Sequence, residues 1–269
     1  MNIRDYMKIE GEKPLDRIVD DGGFAALFRV FACVGDSLSS GEFETLDGHG
    51  GRGYHDLFEY SWAQYMARAM GSKAYNFSRG GMTATEYIDS FAEQMGFWDQ
   101  EKAAQAYILA LGVNDLSMAQ RGEVPLGTME DVGGDWRENG RSFAGHYAAI
   151  IQRYKEISPD AKFFLLTIPR SSNRPSERAA LEDEHARLLY AMAERFENTY
   201  VIDLRRYAPI YDQEFRDYFY LNGHLNPCGY ILTAKMVMSY MDYIIRSNMD
   251  DFREAGLIGT PFVNVREEK

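Results

Sequence analysis

The chain has little cysteine, a deficit of positive charge and no long apolar run. Two cysteines among 269 residues cannot build a disulfide framework, nor a zinc site by themselves. Cys33 falls in an apolar run and Cys228 near a helix start, and both read as free thiols of a reducing compartment. Lys+Arg 29 against Asp+Glu 41 leaves a formal net charge of -12. A protein that tracks nucleic-acid phosphates needs a basic face, and so does one that docks on an anionic membrane. The composition argues against both partners. No stretch reaches the roughly 18 apolar residues of a membrane span. The opening MNIRDYMKIEGEK has no apolar core of a secretory signal, so the expected location is the cytoplasm. Internal repeats, low-complexity tracts and Pro-rich linkers are also lacking. One domain over 1–269 is therefore expected, with an N-terminal arm at 1–28. The tail at 248–269 is expected to pack on the domain or on a partner, a homo-oligomer included.

What is present suits a soluble globular protein: 45% hydrophobic and 26% charged residues, which excludes wholesale disorder. Five short apolar runs read as strands: 29–34, 74–77, 106–111, 162–168 and 200–204. They do not alternate with polar residues, which fits parallel strands covered on both faces. Helical patterns lie between them. Residues 54–70 end at Gly71, a helix stop, and 82–94 form a shorter helix. Apolar stripes run through Phe143, Tyr147, Ile150 and Tyr154, and through Leu181, Leu188, Met192 and Phe196. The last helix starts at an Asn226 cap with Pro227 in its first position. Strands alternating with helices imply an α/β fold with a parallel sheet and right-handed crossovers. Residues 116–137 break the pattern as a long polar insert, expected near the site.

In such a sheet, ligands bind beyond the carboxyl ends of the strands. The segments that follow the strands carry Gly35-Asp36-Ser37-Leu38, then Arg79-Gly80-Gly81-Met82-Thr83, then Gly112-Val113-Asn114-Asp115. Past the fifth strand comes Asn222-Gly223-His224-Leu225. A serine, a glycine turn, an asparagine and a histidine therefore converge on one edge. They are the parts of an acyl-transfer site: nucleophile, backbone donor, side-chain donor and general base. Each also has a plain structural reading. Ser37 is placed to cap a helix, Gly81 to serve a turn that needs positive φ, and Asn114 to brace its loop. His224 sits near a helix start, where a neutral ring is favoured.

These four blocks, in this order, resemble the GDSL/SGNH hydrolases over residues 35–226. The resemblance implies a flavodoxin-like three-layer αβα fold with a five-stranded sheet of order 2-1-3-4-5. It implies ester hydrolysis with no metal and no organic cofactor. It assigns Ser37 as nucleophile and His224 as base. The oxyanion hole would be the Ser37 N–H, the Gly81 N–H and the Asn114 side chain, with Asp36 as a brace of the turn. The family's aspartate, three residues before the histidine, is missing: Leu221 stands there. A Ser37–His224 dyad supported by a backbone carbonyl ranks first, Asp217 second, with Asp212 and Asp203 as further options.

His49 and His55, near Asp47 and Asp56, lack a recognised metal spacing. Gly48-His49-Gly50-Gly51-Arg52-Gly53 lacks the lysine-serine ending of a phosphate loop and reads as a rim loop. The polar insert does not look like the apolar lid of a lipase. A short acyl ester is the expected small-molecule substrate, and an acetylated carbohydrate follows by analogy. Acyl transfer to an alcohol would use the same residues. A binding protein that kept the fold and lost turnover is the reading from outside enzymology, and the missing aspartate motivates it. An FMN carrier would want a phosphate loop where Asp36 stands.

Overall fold

Successive residues of a strand face opposite ways, so the apolar runs feed two cores. The computed structural model describes residues 2–265. Nine strands occur among the described residues: β1 (Val30–Gly35), β2 (Glu42–Leu46), β3 (Arg52–Asp56), β4 (Lys73–Ser78), β5 (Ala106–Ala110), β6 (Lys162–Leu166), β7 (Thr199–Ile202), β8 (Tyr220–Leu221) and β9 (His224–Leu225). The main sheet has the order β4-β1-β5-β6-β7, all parallel. Counted over these five strands alone, that is the order 2-1-3-4-5 expected from the family resemblance.

Val34, Leu109 and Leu165 sit in register on one face. They join a core with Tyr87, Tyr147, Tyr154, Leu189 and Met192. Cys33, Ile108 and Phe164 sit in register on the other face, with Trp62, Met66, Tyr230, Val237 and Met241. Burial of each large apolar side chain stabilises the fold by about 1.5–3 kcal/mol. Helices Phe143–Ile157 and Ser176–Arg195 therefore cover one face, and Trp62–Met70 and Pro227–Ser247 the other. Asn226 caps the last helix by accepting from the Gly229 N–H at 3.0 Å, and Pro227 begins it.

Three expectations change. Residues 54–56 belong to β3, which pairs antiparallel with β2, and the helix behind them begins only at Trp62. The glycine-rich stretch is the tip of that hairpin. Asp47 closes it by accepting from the His49 and Gly51 N–H groups. Residues 82–94 are helical from Ala84, with a wide π turn at Tyr87–Phe91. The insert begins as helix Val113–Gln120 and continues as two short 3-10 turns. Trp136 then lies against helix Phe143–Ile157, donating to Glu156 at 3.2 Å.

The arm is pinned to the last helix. Arg246 is buried there and pairs with Glu12 at 2.8 Å and Asp242 at 2.7 Å. In the tail, Phe252 packs on Phe28 and Tyr200. No helix among the described residues is long and apolar enough to cross a membrane.

Candidate active site

Strand β1 has its two neighbours, β4 and β5, on either side, so crossovers leave it in both directions. The crevice beyond its carboxyl end is where such sheets bind ligands. β1 ends at Gly35. Asp36 turns the chain there and caps the short helix Ser37–Ser40, its Oδ1 accepting from the Leu38 N–H at 3.0 Å. Ser37 thus opens a helix at the sheet edge, half-buried, with no hydrogen-bond partner for its hydroxyl among the described residues. It lines a cleft of about 340 Å³ together with Asn114, Gly223 and His224. Although widely separated in sequence, the serine and the histidine share this wall, and helix Ser37–Ser40 packs on β9.

Asn114 lies in the first turn of helix Val113–Gln120. Its Nδ2 donates to the Met82 carbonyl at 3.1 Å and, weakly, to Asp36 Oδ2 at 3.4 Å. Met82 closes a turn on Arg79, with its N–H on the Arg79 carbonyl at 3.2 Å and Gly81 at φ 73. Positive φ at the third residue of a turn is the reason a glycine stands there. Gly81 lines a shallow groove that adjoins the cleft through Asn114. Asp36, Asn114 and the glycine turn are therefore one hydrogen-bonded unit.

His224 opens β9, in a hairpin whose two-residue turn is Asn222-Gly223. Asn222 takes φ 57, which asparagine tolerates better than most residues. Asn222 Nδ2 donates to the Glu44 carbonyl at 2.7 Å, and the Gly223 N–H donates to Glu44 Oε2 at 2.9 Å. A Cβ on Gly223 would collide with that carboxylate, so glycine is what lets Glu44 keep this position.

The groups that flank the imidazole were not among those expected from sequence. Its Nε2 is 3.0 Å from Glu42 Oε1, and its Nδ1 is 3.5 Å from Glu44 Oε2. Tyr54 of β3 meets the ring edge-on at 6.0 Å. Glu42-Phe43-Glu44 is an alternating stretch of strand, so both carboxylates face the histidine. Phe43 points away, against Tyr60 and Tyr230. The two acids are shifted in opposite directions. Burial, with Asp56 and Glu44 nearby, raises the Glu42 carboxyl above its ordinary value despite the pull of His224. Burial also acts on Glu44, but the Gly223 N–H and the ion-paired Arg52 guanidinium outweigh it and hold Glu44 below its ordinary value.

The aspartates named from sequence lie elsewhere. Asp217 is exposed and accepts from Gln213 Nε2 at 2.7 Å on its own helix. Asp212 caps that helix at the Phe215 N–H. Asp203 is occupied by Thr167, Tyr190 and the Arg206 N–H. None of the three lines the cleft. The fold brings them to the wrong side of helix Gln213–Phe219 or locks them in caps, whereas the β2–β3 hairpin brings Glu42 and Glu44 to the ring. No residue of 116–137 lines the cleft either. The alternation Glu42-Phe43-Glu44, directly after the serine block, was the available sequence signal. That signal is faint, because a five-residue polar strand is weak by pattern alone.

The remaining candidates have structural duties. His55 Nε2 lies 3.0 Å from Thr45 Oγ1 across the hairpin, His146 Nδ1 2.8 Å from Thr85 Oγ1, and His185 Nε2 3.2 Å from the Leu111 carbonyl. Among the described residues no group of three or more His, Cys, Asp or Glu is arranged to hold a metal ion. Cys33 and Cys228 are free, and burial pushes the Cys33 thiol up to about 12.

Comparison with known proteins gives relatives of the same architecture. A family two carbohydrate esterase from Clostridium thermocellum, solved with cellohexaose, superposes with a TM-score of 0.56 at 15% identity, over 81% of this chain and 64% of that one. A carbohydrate esterase family 2 enzyme with a carbohydrate-binding domain, from Corynascus thermopiles, gives 0.55 at 15%, over 80% and 66%. This chain thus spans about two thirds of the length of each. A protein from Lactobacillus plantarum gives 0.57 at 17%, over 80% and 97%. At these identities the likeness is one of fold. No curated protein matches the chain. The sequence model described as the GDSL-like Lipase/Acylhydrolase family matches residues 33–232.

Proposed function

The chain belongs to the GDSL-like lipase/acylhydrolase family and is an ester-bond hydrolase, and from that premise we propose that it is a serine esterase acting on short acyl esters. The observation that carries the reading is the common cleft wall of Ser37, Asn114 and His224 at the carboxyl edge of the sheet. Ser37 Oγ attacks the ester carbonyl carbon while His224 takes the hydroxyl proton. The carbonyl oxygen becomes an oxyanion, met by the Ser37 N–H, the Gly81 N–H and the Asn114 amide. Asn114 can turn its long bond to Asp36 toward that charge. One such donor is worth roughly 2.7–4 kcal/mol in a protease. Collapse breaks the ester C–O bond, and the leaving alcohol takes the proton from His224. Water then repeats the sequence on the acyl-enzyme, releasing the acid and restoring Ser37.

His224 stands between the two carboxylates, 3.0 Å from Glu42 and 3.5 Å from Glu44. Glu44, the acid held ionised, orients the ring. Glu42 lies 3.0 Å from Nε2, the nitrogen this mechanism assigns to the Ser37 proton. An acetylated carbohydrate is the favoured class, supported by the carbohydrate esterases of like fold. The test is hydrolysis of 4-nitrophenyl acetate and 4-nitrophenyl palmitate by wild type, Ser37→Ala and His224→Ala. Acetate turnover that falls by about 10³ or more in both variants is expected. Preference for palmitate, or an undiminished Ser37→Ala enzyme, overturns the reading.

A further inference from the structure

The cleft has a second end, and its chemistry is cationic. Beyond Ser37 and His224 it is lined by Arg174, Arg216, Ser171, Tyr211 and Tyr220. Arg216 makes no ion pair among the described residues. Its Nη2 reaches Ser171 Oγ at 3.3 Å, its Nε is buried with no hydrogen-bond partner, and its plane lies over the Tyr220 ring at 4.7 Å. Asp212 and Asp217 are engaged with its own helix, at the Phe215 N–H and at Gln213, and the exposed Glu214, two residues before Arg216, faces another side of that helix.

The adjoining wall does not supply the missing anion. Glu182 and Asp183 are shared among Arg174, Arg178 and Arg205. Three guanidiniums thus share two carboxylates, and Arg216 pairs with neither, in a chain whose overall charge is -12. The Arg216 and Arg174 charges also act together on the Tyr220 hydroxyl, opposing the upward push of burial there. A half-buried guanidinium without a counter-charge departs from the rule that such groups are paired.

We propose that Arg216, with Arg174 at the rim, binds a carboxylate carried by the ester substrate. The proposal deepens the esterase reading and rests on it. Nε and Nη2 form the edge of a guanidinium that pairs side-on with a planar carboxylate. In Arg216 that edge has one vacant donor and one held only by a long bond to a hydroxyl. Glu42 and Glu44 stand at the His224 ring and not at Arg216, so an anionic substrate is turned with its charge toward Arg216 and its ester toward Ser37. The carboxylate sits on the acyl side in a half-ester of a dicarboxylic acid, or on the alcohol side in an acetylated acidic sugar.

The experiment compares kcat/KM for matched charged and neutral esters. Mono-4-nitrophenyl succinate against 4-nitrophenyl butyrate probes the acyl side, and acetylated glucuronic acid against acetylated glucose the alcohol side. In at least one pair wild type prefers the anion by about tenfold or more. That ratio collapses toward one in Arg216→Gln, is partly kept in Arg216→Lys, and shrinks in 0.5 M NaCl. The ratio is internal to each variant, so a loss of folded protein does not mimic it. Ratios near one in wild type for both pairs, or ratios unchanged in Arg216→Gln, overturn the proposal while leaving the esterase reading intact. Turnover of neutral esters that survives Ser37→Ala overturns the esterase reading instead.

Discussion

At the scale of the residue, the histidine and its two acids decide most. A carboxylate on the ring does two things for a serine esterase: it fixes the tautomer, and it stabilises the imidazolium once the serine proton has moved. Glu44 is equipped for both, because Arg52 and the Gly223 N–H keep it charged. Glu42 competes for Nε2, 3.0 Å away, the nitrogen that must serve Ser37. Glu44→Gln is therefore expected to lower kcat by about 10² or more with KM little changed, the aspartate-to-asparagine change in a serine protease costing about 10⁴. Glu42→Gln is expected to cost far less. Steady-state kinetics on 4-nitrophenyl acetate separate the two, and a larger loss in Glu42→Gln would reverse the assignment. Asn114→Ala is expected to lower kcat by roughly 10²–10³. The serine, the asparagine and the histidine were legible in sequence because each follows a strand in a motif of its own. The acids were not, because their partner is distant in the chain.

At the scale of the element, the strands were read within about two residues, since continuous apolar runs mark a buried sheet. The β2–β3 hairpin was missed for the opposite reason. It lies over the mouth of the site rather than in the core. Tyr54 is exposed and β3 is mostly so, and little apolar pattern betrays it. Its close approach to the Asn222-Gly223 turn is what brings Glu44 to His224. Gly223→Ala places a methyl group against the Glu44 carboxylate and displaces it from the Gly223 N–H and from its place at the ring. The expected outcome is a fall in kcat comparable to that of Glu44→Gln, in a protein that still unfolds cooperatively. Near-normal kcat would mean that the contact does not position the ring. The last helix was the most legible element, and its cap, two residues beyond His224, tests the start of that helix. Asn226→Ala is expected to reduce unfolding free energy by about 1 kcal/mol in urea titrations.

At the scale of the whole molecule, burial sets how stability responds to pH. Burial pushes Asp36 and Asp115 up to about 7 from 3.8. A carboxyl whose folded value is raised favours the folded state fully below its unfolded value, and that benefit is lost as pH rises through the folded one. The window is thus about pH 4–7. His185 works the other way: burial pushes it down to about 4 from 6.5, so its share is present above 6.5 and lost as pH falls through 4. Asp115→Asn is expected to shrink the loss of unfolding free energy between pH 4 and 7, measured by urea unfolding at each pH. An identical pH slope in the variant would contradict it. Composition marks the chain as acidic but does not say where the charges gather. The pairing of Arg246 with Glu12, and the arginine-rich wall of the cleft, join segments that no local pattern connects.

The central claim is that Ser37 is the nucleophile and His224 its base. Fluorophosphonate labelling followed by peptide mass analysis tests it most directly. A single adduct on the peptide bearing Ser37, absent in Ser37→Ala and strongly slowed in His224→Ala, is the predicted result. An adduct on another residue, or labelling of His224→Ala at the wild-type rate, would contradict the account.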